Sequence, residues 1–405
     1  MSDELPKLRL LNLRWVQWEG QQVLLLQDPL QLSESSILVP RPLVPLLELL
    51  DGTRDLHALR TGYLLRTGMQ ILPDRVESFV ENLDDAFLLE NQRFLGVMRE
   101  TMLSYRAAPH RAPALAGGVY PDDGTELFKT LGEYCQKAEV NGTQPSGRLV
   151  GLISPHIDYA RGWRTYAETW QQAREAVEAA DLVILLGTDH NGTPGSMTLT
   201  SQSYATPWGT LPTDTELVDR LANILGQERA FAEEVHHIGE HSIELAAVWL
   251  HYVADGRPSR LLPILCGAYD ADQASADGDT APLCEALGLL AEVAAGPRVL
   301  VVAAGDLSHV GPAFGDSLPL DLSGKARVRA RDERWLDVAC SGSSDLLAEH
   351  IQQHGDHTRI CGAAPIHYML AALRRAQGRV VAYDQCSADE EFGSLVSVAG
   401  ALFTV

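Results

Sequence analysis

Residues 302–311 read VAAGDLSHVG: an apolar run reaches Gly305 and then presents Asp306, Ser308 and His309. Small and apolar residues that stop at a glycine and deliver an acid and a histidine have the pattern of a buried strand with polar groups at its carboxyl end. In α/β proteins that edge is where sites are built. Two earlier stretches repeat the plan. Residues 148–159, RLVGLISPHIDY, end on His156 and Asp158, and residues 181–192, DLVILLGTDHNG, end on Asp189 and His190. Three strands that each deliver a histidine predict one sheet rim lined by imidazoles.

Outward from these strands, apolar runs of strand length alternate with helical patterns from Pro113 onward. Helices are predicted over 127–138, 166–180, 215–225, 242–253, 282–295, 325–338 and 364–376, and further strands at 261–265, 380–383 and 395–403. That alternation predicts a sheet covered by helices on both faces. Before it, residues 8–29 alternate across Glu19–Gly20–Gln21 like a hairpin, and leucine spacing predicts three short helices over 41–50, 53–68 and 73–87. Residues 97–113, with two prolines and little periodicity, predict a linker between a small domain over 1–96 and a large one over 114–405.

Composition narrows the function. The chain has 405 residues, 45% hydrophobic and 21% charged, which is ordinary for a globular protein. A formal net charge of −22 repels phosphate backbones, and no Lys/Arg run offsets it, so nucleic acid is excluded as a partner. No apolar stretch approaches the ~18 residues of a membrane span. The start MSDELPKLRL lacks a signal-peptide plan, and the six cysteines show no close pairing, so a cytoplasmic protein with reduced thiols and no membrane attachment is expected. The acidic stretch 267–282 reads as a solvated loop. Without a G-x-S-x-G elbow, a G-x-G-x-x-G turn or a P-loop, serine hydrolysis and nucleotide cofactors have no support.

Among the 13 histidines, His156, His190 and His309 share the strand-end context and read as convergent ligands. Imidazole suits iron, zinc or copper, and three protein ligands leave a coordination position open. His241 and Glu244, three apart at a helix start, form either a metal or acid–base pair on one face or a capping arrangement. His236 and His237 precede them in a polar loop, and His251 and His367 read as packing residues. Cys361 stands just before a hydrophobic helix, whose start would lower its pKa toward the thiolate. Asp158, Asp189 and Asp306 would orient imidazoles, act as bases or simply form turns.

Eight segments in order, AGGVYP (116–121), SPHIDY (154–159), LGTDHNG (186–192), YATPWGTLPTD (204–214), EHSIE (240–244), LLPILCG (261–267), AGDLSHVG (304–311) and RICGAAPI (359–366), resemble the MEMO family. Its bacterial members are called AmmeMemoRadiSam system protein B. The resemblance implies an α/β/α sandwich of the class III extradiol dioxygenase type, with His156, His190 and Cys361 as metal ligands and Asp306, His309 and His241 lining the pocket. It further implies non-haem Fe(II) or copper as cofactor, a redox or oxygenase-like reaction on a small molecule or peptide, and a radical-SAM protein as partner. The dioxygenases carry a glutamate where this pattern has cysteine, which leaves open a metal-free, non-catalytic peptide-binding adaptor. Ile157–Asp158 and Asp189 depart from the commonest pattern and add negative charge beside the ligands. The stretches LLDGTRDLHALR (49–60) and TGMQILPDRVESFVENLDDAFLLENQRF (67–94) resemble winged-helix-like α+β peptide-recognition domains related to the PQQ-biosynthesis chaperone family, which implies a peptide substrate recruited by the N-terminal region.

Overall fold

A computed structural model describes residues 4–33, 36–138, 147–257, 259–269 and 281–405. The chain divides into two compact units between Ala108 and Pro109. In the first, strands β1 (Asn12–Trp18) and β2 (Gln21–Gln27) pair antiparallel, as the alternation predicts. Their two-residue turn puts Glu19 at φ 49° and Gly20 at φ 75°, the left-handed pair that suits a tight hairpin. Strand β3 (Ile37–Pro40) extends the sheet, and helices α1 (Val44–Leu47), α2 (Leu56–Thr67), α3 (Pro73–Asp85) and α4 (Gln92–Ala107) come after it. Asp55 caps α2 by accepting from the Ala58 amide, and Gly68 ends it at φ 72°. Leu24, Leu26, Leu59, Val76 and Leu83 share its core.

Most of the segment expected as a linker is therefore helix. The Asn91 side chain caps α4 through the Phe94 amide, and Phe94 and Tyr105 are buried, while Pro109 and Pro113 fall beyond its last turn and cannot break it.

The second unit runs α5 (Gly124–Lys137), β4 (Leu149–Ser154), α6 (Tyr159–Ala179), β5 (Leu182–Thr188), β6 (Met197–Leu199), the ribbon β7 (Tyr204–Thr206) and β8 (Gly209–Leu211), α7 (Thr215–Leu225), α8 (Gln227–Ala230), α9 (His236–Gly239) and α10 (His241–Val253). It continues with β9 (Arg260–Cys266), α11 (Ala281–Ala294), β10 (Val299–Ala304), β11 (His309–Val310), α12 (Leu322–Cys340), α13 (Ser344–His354), α14 (Ala363–Leu373), β12 (Gln377–Ser387) and β13 (Leu395–Thr404). Most of the acidic stretch 267–282 lies outside the described residues.

The sheet order is β11-β13-β4-β10-β5-β9-β6, with β12 on β13. The central strands β4, β10, β5 and β9 are parallel, and β6, β12 and β13 join antiparallel. Alternate residues serve opposite faces: Ile184 and Leu186 of β5 pack in the layer of α7, α11 and α14, whereas Val183 and Leu185 pack in the layer of α6 and α10. The unit is an α/β/α sandwich, and both faces of its parallel strands are dry. Among the described residues no helix is long and apolar enough to cross a membrane.

One close approach decides where the distant chain segments meet. A Cβ on Gly305 would lie 2.4 Å from the Gly362 Cα, and a Cβ on Gly362 would lie 2.8 Å from the Asp306 carbonyl oxygen. Only glycine at both positions lets the turn after β10 touch the turn before α14, where the Gly362 amide donates to Asp306 O at 2.9 Å. Cys361 is thereby laid against the strand ends.

Candidate metal centre

The carboxyl ends of β4, β10 and β5 lie side by side and carry His156, Asp306 and His190. His156 is 1% exposed; its backbone amide donates to Asp306 Oδ1 at 2.8 Å and its Nδ1 lies 3.1 Å from the Ala304 carbonyl oxygen. A carbonyl only accepts, so Nδ1 carries the proton and the Nε2 lone pair is free to ligate. Burial, followed by the charge at His190 and His241, lowers the His156 pKa well below its ordinary value, which keeps the ring in its ligand form.

Glu240 organises the other two histidines. Its Oε2 lies 3.0 Å from His190 Nδ1 and its Oε1 lies 3.0 Å from His241 Nδ1. The same carboxylate accepts from the backbone amides of His190 (3.1 Å), His241 (2.7 Å) and Ser242 (3.1 Å), so it also caps α10. Both rings are held by Nδ1 and present Nε2, the carboxylate–histidine arrangement common behind metal ligands. Burial opposes the charges of this group, yet Glu240 and Cys361 hold His190 well above its ordinary pKa, and His190 and His241 hold Glu240 well below its own.

Ligating atoms of His156, His190 and His241 lie within 4.8 Å of one another. The His190 and His241 rings stack at 4.7 Å and 16°, and each meets His156 edge-on at 5.1 Å. Cys361 Sγ borders the group, 3.2 Å from His156 Nε2. The structure thus brings His156, His190 and Cys361 together and adds His241, which the family resemblance had set among the pocket residues. His156 closes the floor, while the side chains of His190 and His241 are 34% and 38% exposed and leave the far side open. The Cys361 thiol is not lowered as the helix start had suggested: burial raises its pKa, and His190 only partly offsets this.

Asp306 and His309 flank the group. His309 Nδ1 lies 3.0 Å from both the Leu307 and Arg359 carbonyl oxygens, which fixes the proton there and leaves Nε2 as an acceptor. Burial raises the Asp306 pKa and lowers that of His309, so each is pushed toward its neutral form. Arg359, at φ 56°, ties the turn down by donating from Nε to the His309 carbonyl oxygen at 2.9 Å.

Glu244 is not part of the site. It is 1% exposed and turned into the core, where Arg111 and the Tyr120 hydroxyl bind its carboxylate and the Ala114 and Leu115 amides donate at 2.9 Å. Arg111 also donates to the carbonyl oxygens of His237 (2.8 Å) and Glu240 (3.1 Å), which bracket the turn into α10. The pairing of His241 with Glu244 therefore does not form; the carboxylate that serves His241 is its neighbour Glu240.

His236 and His237 occupy a helical turn with distinct roles. His236 Nδ1 lies 2.8 Å from Asp189 Oδ2, and Asp189, Glu233 and His236 make a second group with ligating atoms within 4.8 Å. His237 is fully buried, with Nε2 3.1 Å from Thr198 O and Nδ1 2.6 Å from the Tyr204 hydroxyl.

The family model described as Memo-like protein matches residues 111–402. A MEMO1 family protein of Aquifex aeolicus is 27% identical over 381 residues, covering 93% of this chain and 95% of that one. A MEMO1 family protein of Methanosarcina acetivorans is 26% identical over 293 residues, 72% of this chain and 96% of its own. The Aquifex match is too long for residues 111–402 and so takes in part of the first unit. A solved structure of an uncharacterized protein from Escherichia coli K12 is similar at 17% identity and a TM-score of 0.37, covering 62% of this chain and 98% of that chain.

Proposed function

The chain belongs to the Memo-like family, and on that footing we propose that its second unit is a metal-binding redox protein, with iron or copper on His156, His190 and His241 beside the Cys361 thiol. The observation that carries this reading is the convergence of three Nε2-presenting imidazoles, two of them anchored on one buried carboxylate. The donor set fits such an ion: imidazoles with a soft sulfur suit copper or iron over magnesium or calcium. Bound there, the metal would supply one-electron chemistry at its open side.

The chain's own residues supply the rest. Glu240 fixes the two exposed rings, Asp306 fixes the backbone of His156, and His309 offers Nε2 to receive a proton from a substrate in the open position. The test is metal content after anaerobic purification, with His190→Ala and Cys361→Ser prepared in parallel. Stoichiometric metal that falls in the variants is expected; an empty parent protein, or full retention in both variants, refutes the assignment.

A second reading concerns the first unit. Among the described residues strand β1 pairs with β2 alone, and it exposes Leu13, Trp15 and Trp18, an edge that suits an added peptide strand. On this reading the unit recruits a peptide for chemistry shared with a radical-SAM partner. Trp15→Ser with Trp18→Ser would then abolish co-purification of that partner's peptide substrate while leaving metal content unchanged.

A further inference from the structure

His190 of the ligand group and the neighbouring Cys361 line a cavity of about 630 Å³, together with Arg331 and Arg334 of α12 and His350 and His354 of α13. Arg331 and Arg334 are three apart and reach the cavity from one helix face. Neither makes an ion pair or hydrogen bond among the described residues. Among the described residues two carboxylates also line the cavity, and both are engaged: Asp189 by His236 at 2.8 Å, and Asp356 by the Ile360 amide at 2.9 Å. The third arginine, Arg359, is held by Asp316 at 2.7 Å. A chain of net charge −22 thus places in the cavity at His190 two guanidinium groups that have no ion pair among the described residues.

The remaining surface is mixed, with Thr188, Gln352 and Thr358 among apolar side chains. Trp335, Ile351 and Ile360 line the same cavity and offer apolar surface to a molecule seated there. The electrostatics agree: His350 is lowered by burial and then by His354 and Arg334, as positive surroundings require.

We infer that the cavity takes a small organic carboxylate with an apolar body, its carboxylate on Arg331 and Arg334 and its other end toward His190 and Cys361. Guanidinium forks match carboxylate geometry. A phosphate would fit them too, its second charge raising both the attraction to the guanidinium groups and the repulsion from the acidic chain, so it is the competing ligand in the test; the apolar lining is what favours the singly charged carboxylate. The inference names the substrate class for the metal centre proposed above and rests on that reading only for what happens at the inner end.

Calorimetric titration of the full-length protein separates the two. 3-Phenylpropanoate, its neutral amide 3-phenylpropanamide and phenyl phosphate are titrated into metal-free protein and into protein supplied anaerobically with Fe(II). The carboxylate should bind at least about tenfold more tightly than the amide, metal or no metal, as charge-assisted hydrogen bonds require. Arg331→Gln with Arg334→Gln should erase that preference with the melting temperature unchanged, and the paired Lys substitutions should restore part of it. Equal binding of carboxylate and amide, or a preference that survives the Gln variant, overturns the inference. Tighter binding of phenyl phosphate overturns the choice of carboxylate. The metal-free titration gives its answer even where Fe(II) fails to bind, so the failure of the metal assignment is read separately.

Discussion

Replacing Glu240 by glutamine removes one charge and almost no volume, yet it should disable the centre. The carboxylate receives N–H groups on both oxygens: His190 N and Nδ1 on Oε2, and His241 N, His241 Nδ1 and Ser242 N around Oε1. A glutamine must turn its NH2 toward one of these sets. In either orientation at least two donors then face a donor, in a pocket where the side chain is 4% exposed. With about 1–3 kcal/mol for each buried group left unsatisfied, and some relaxation, the loss of stability should be roughly 3 kcal/mol. The affinity for metal should fall by about 10- to 100-fold, the usual consequence of removing the carboxylate behind a ligating histidine, and toward the upper end because two rings depend on it. The assay is chelator competition for Fe(II) or Cu(I) on Glu240→Gln, Glu240→Asp and the parent protein, alongside denaturant unfolding. Aspartate keeps the charge on a shorter arm and should fall between. If Glu240→Gln loses stability but binds metal within twofold of the parent, the carboxylate is only a helix cap and the reasoning about the two rings is wrong.

The surrounding structure sets further expectations. Gly305→Ala places a methyl 2.4 Å from the Gly362 backbone, so stability should fall by about 1–3 kcal/mol and Cys361 should separate from His156; thermal melts and metal content that falls to the level of Cys361→Ser check this. His237 is fully buried with its pKa lowered to about 3, by burial first, against an ordinary 6.5. A depressed folded pKa means that its contribution is complete above pH 6.5 and is lost as pH falls toward 3, at up to about 1.4 kcal/mol per pH unit. His237→Gln, whose amide can still donate to Thr198 and accept from Tyr204, should lose that part of the acid slope in denaturant unfolding between pH 6 and 4. Arg111→Met strands the buried Glu244 carboxylate and should cost about 3–5 kcal/mol, whereas Arg111→Met with Glu244→Gln removes the stranded charge, keeps an acceptor for Tyr120 and Leu115, and should recover part of it; equal losses in single and double variants would refute the coupling.

The parallel strands were legible because burial on both faces leaves a long apolar signal, and Leu149–Ser154, Leu182–Thr188 and Val299–Ala304 all have it. Their histidines were legible for the same reason, since a polar residue directly after such a run stands at the sheet rim. Short elements were not: Met197–Leu199 and His309–Val310 exist through sheet pairing and carry too few residues for a periodic signal. The helix Gln92–Ala107 carries helical spacing in Phe94, Val97, Met98, Met102 and Tyr105, but Pro109 and Pro113 just beyond it make the segment read as a linker. In the site, Glu244 looked like a partner for His241 by helical spacing alone. Spacing fixes which residues share a stripe but not which neighbour claims a carboxylate, and Arg111, 133 positions earlier, claims this one.

Glu240 shows what sequence could have offered. A carboxylate one residue before a histidine at a helix start is an ordinary capping signal, and nothing local says that its second oxygen reaches His190, 50 positions away. That contact exists because β5 delivers His190 beside the start of α10, and this packing is tight: a Cβ on Gly187 of β5 would meet Ser242 Oγ and Ile243 Cγ1 at 2.6 Å. One strand end, one helix start and one carboxylate thus form a single unit whose parts cannot be moved separately. His156 and Cys361 are set by a different device, the glycine-to-glycine contact of Gly305 and Gly362. Damage to the two devices should therefore differ in kind. Glu240→Gln should loosen the imidazoles on the open side and weaken metal binding while sulfur still approaches His156, whereas Gly305→Ala should spare the Glu240-held rings and remove the sulfur.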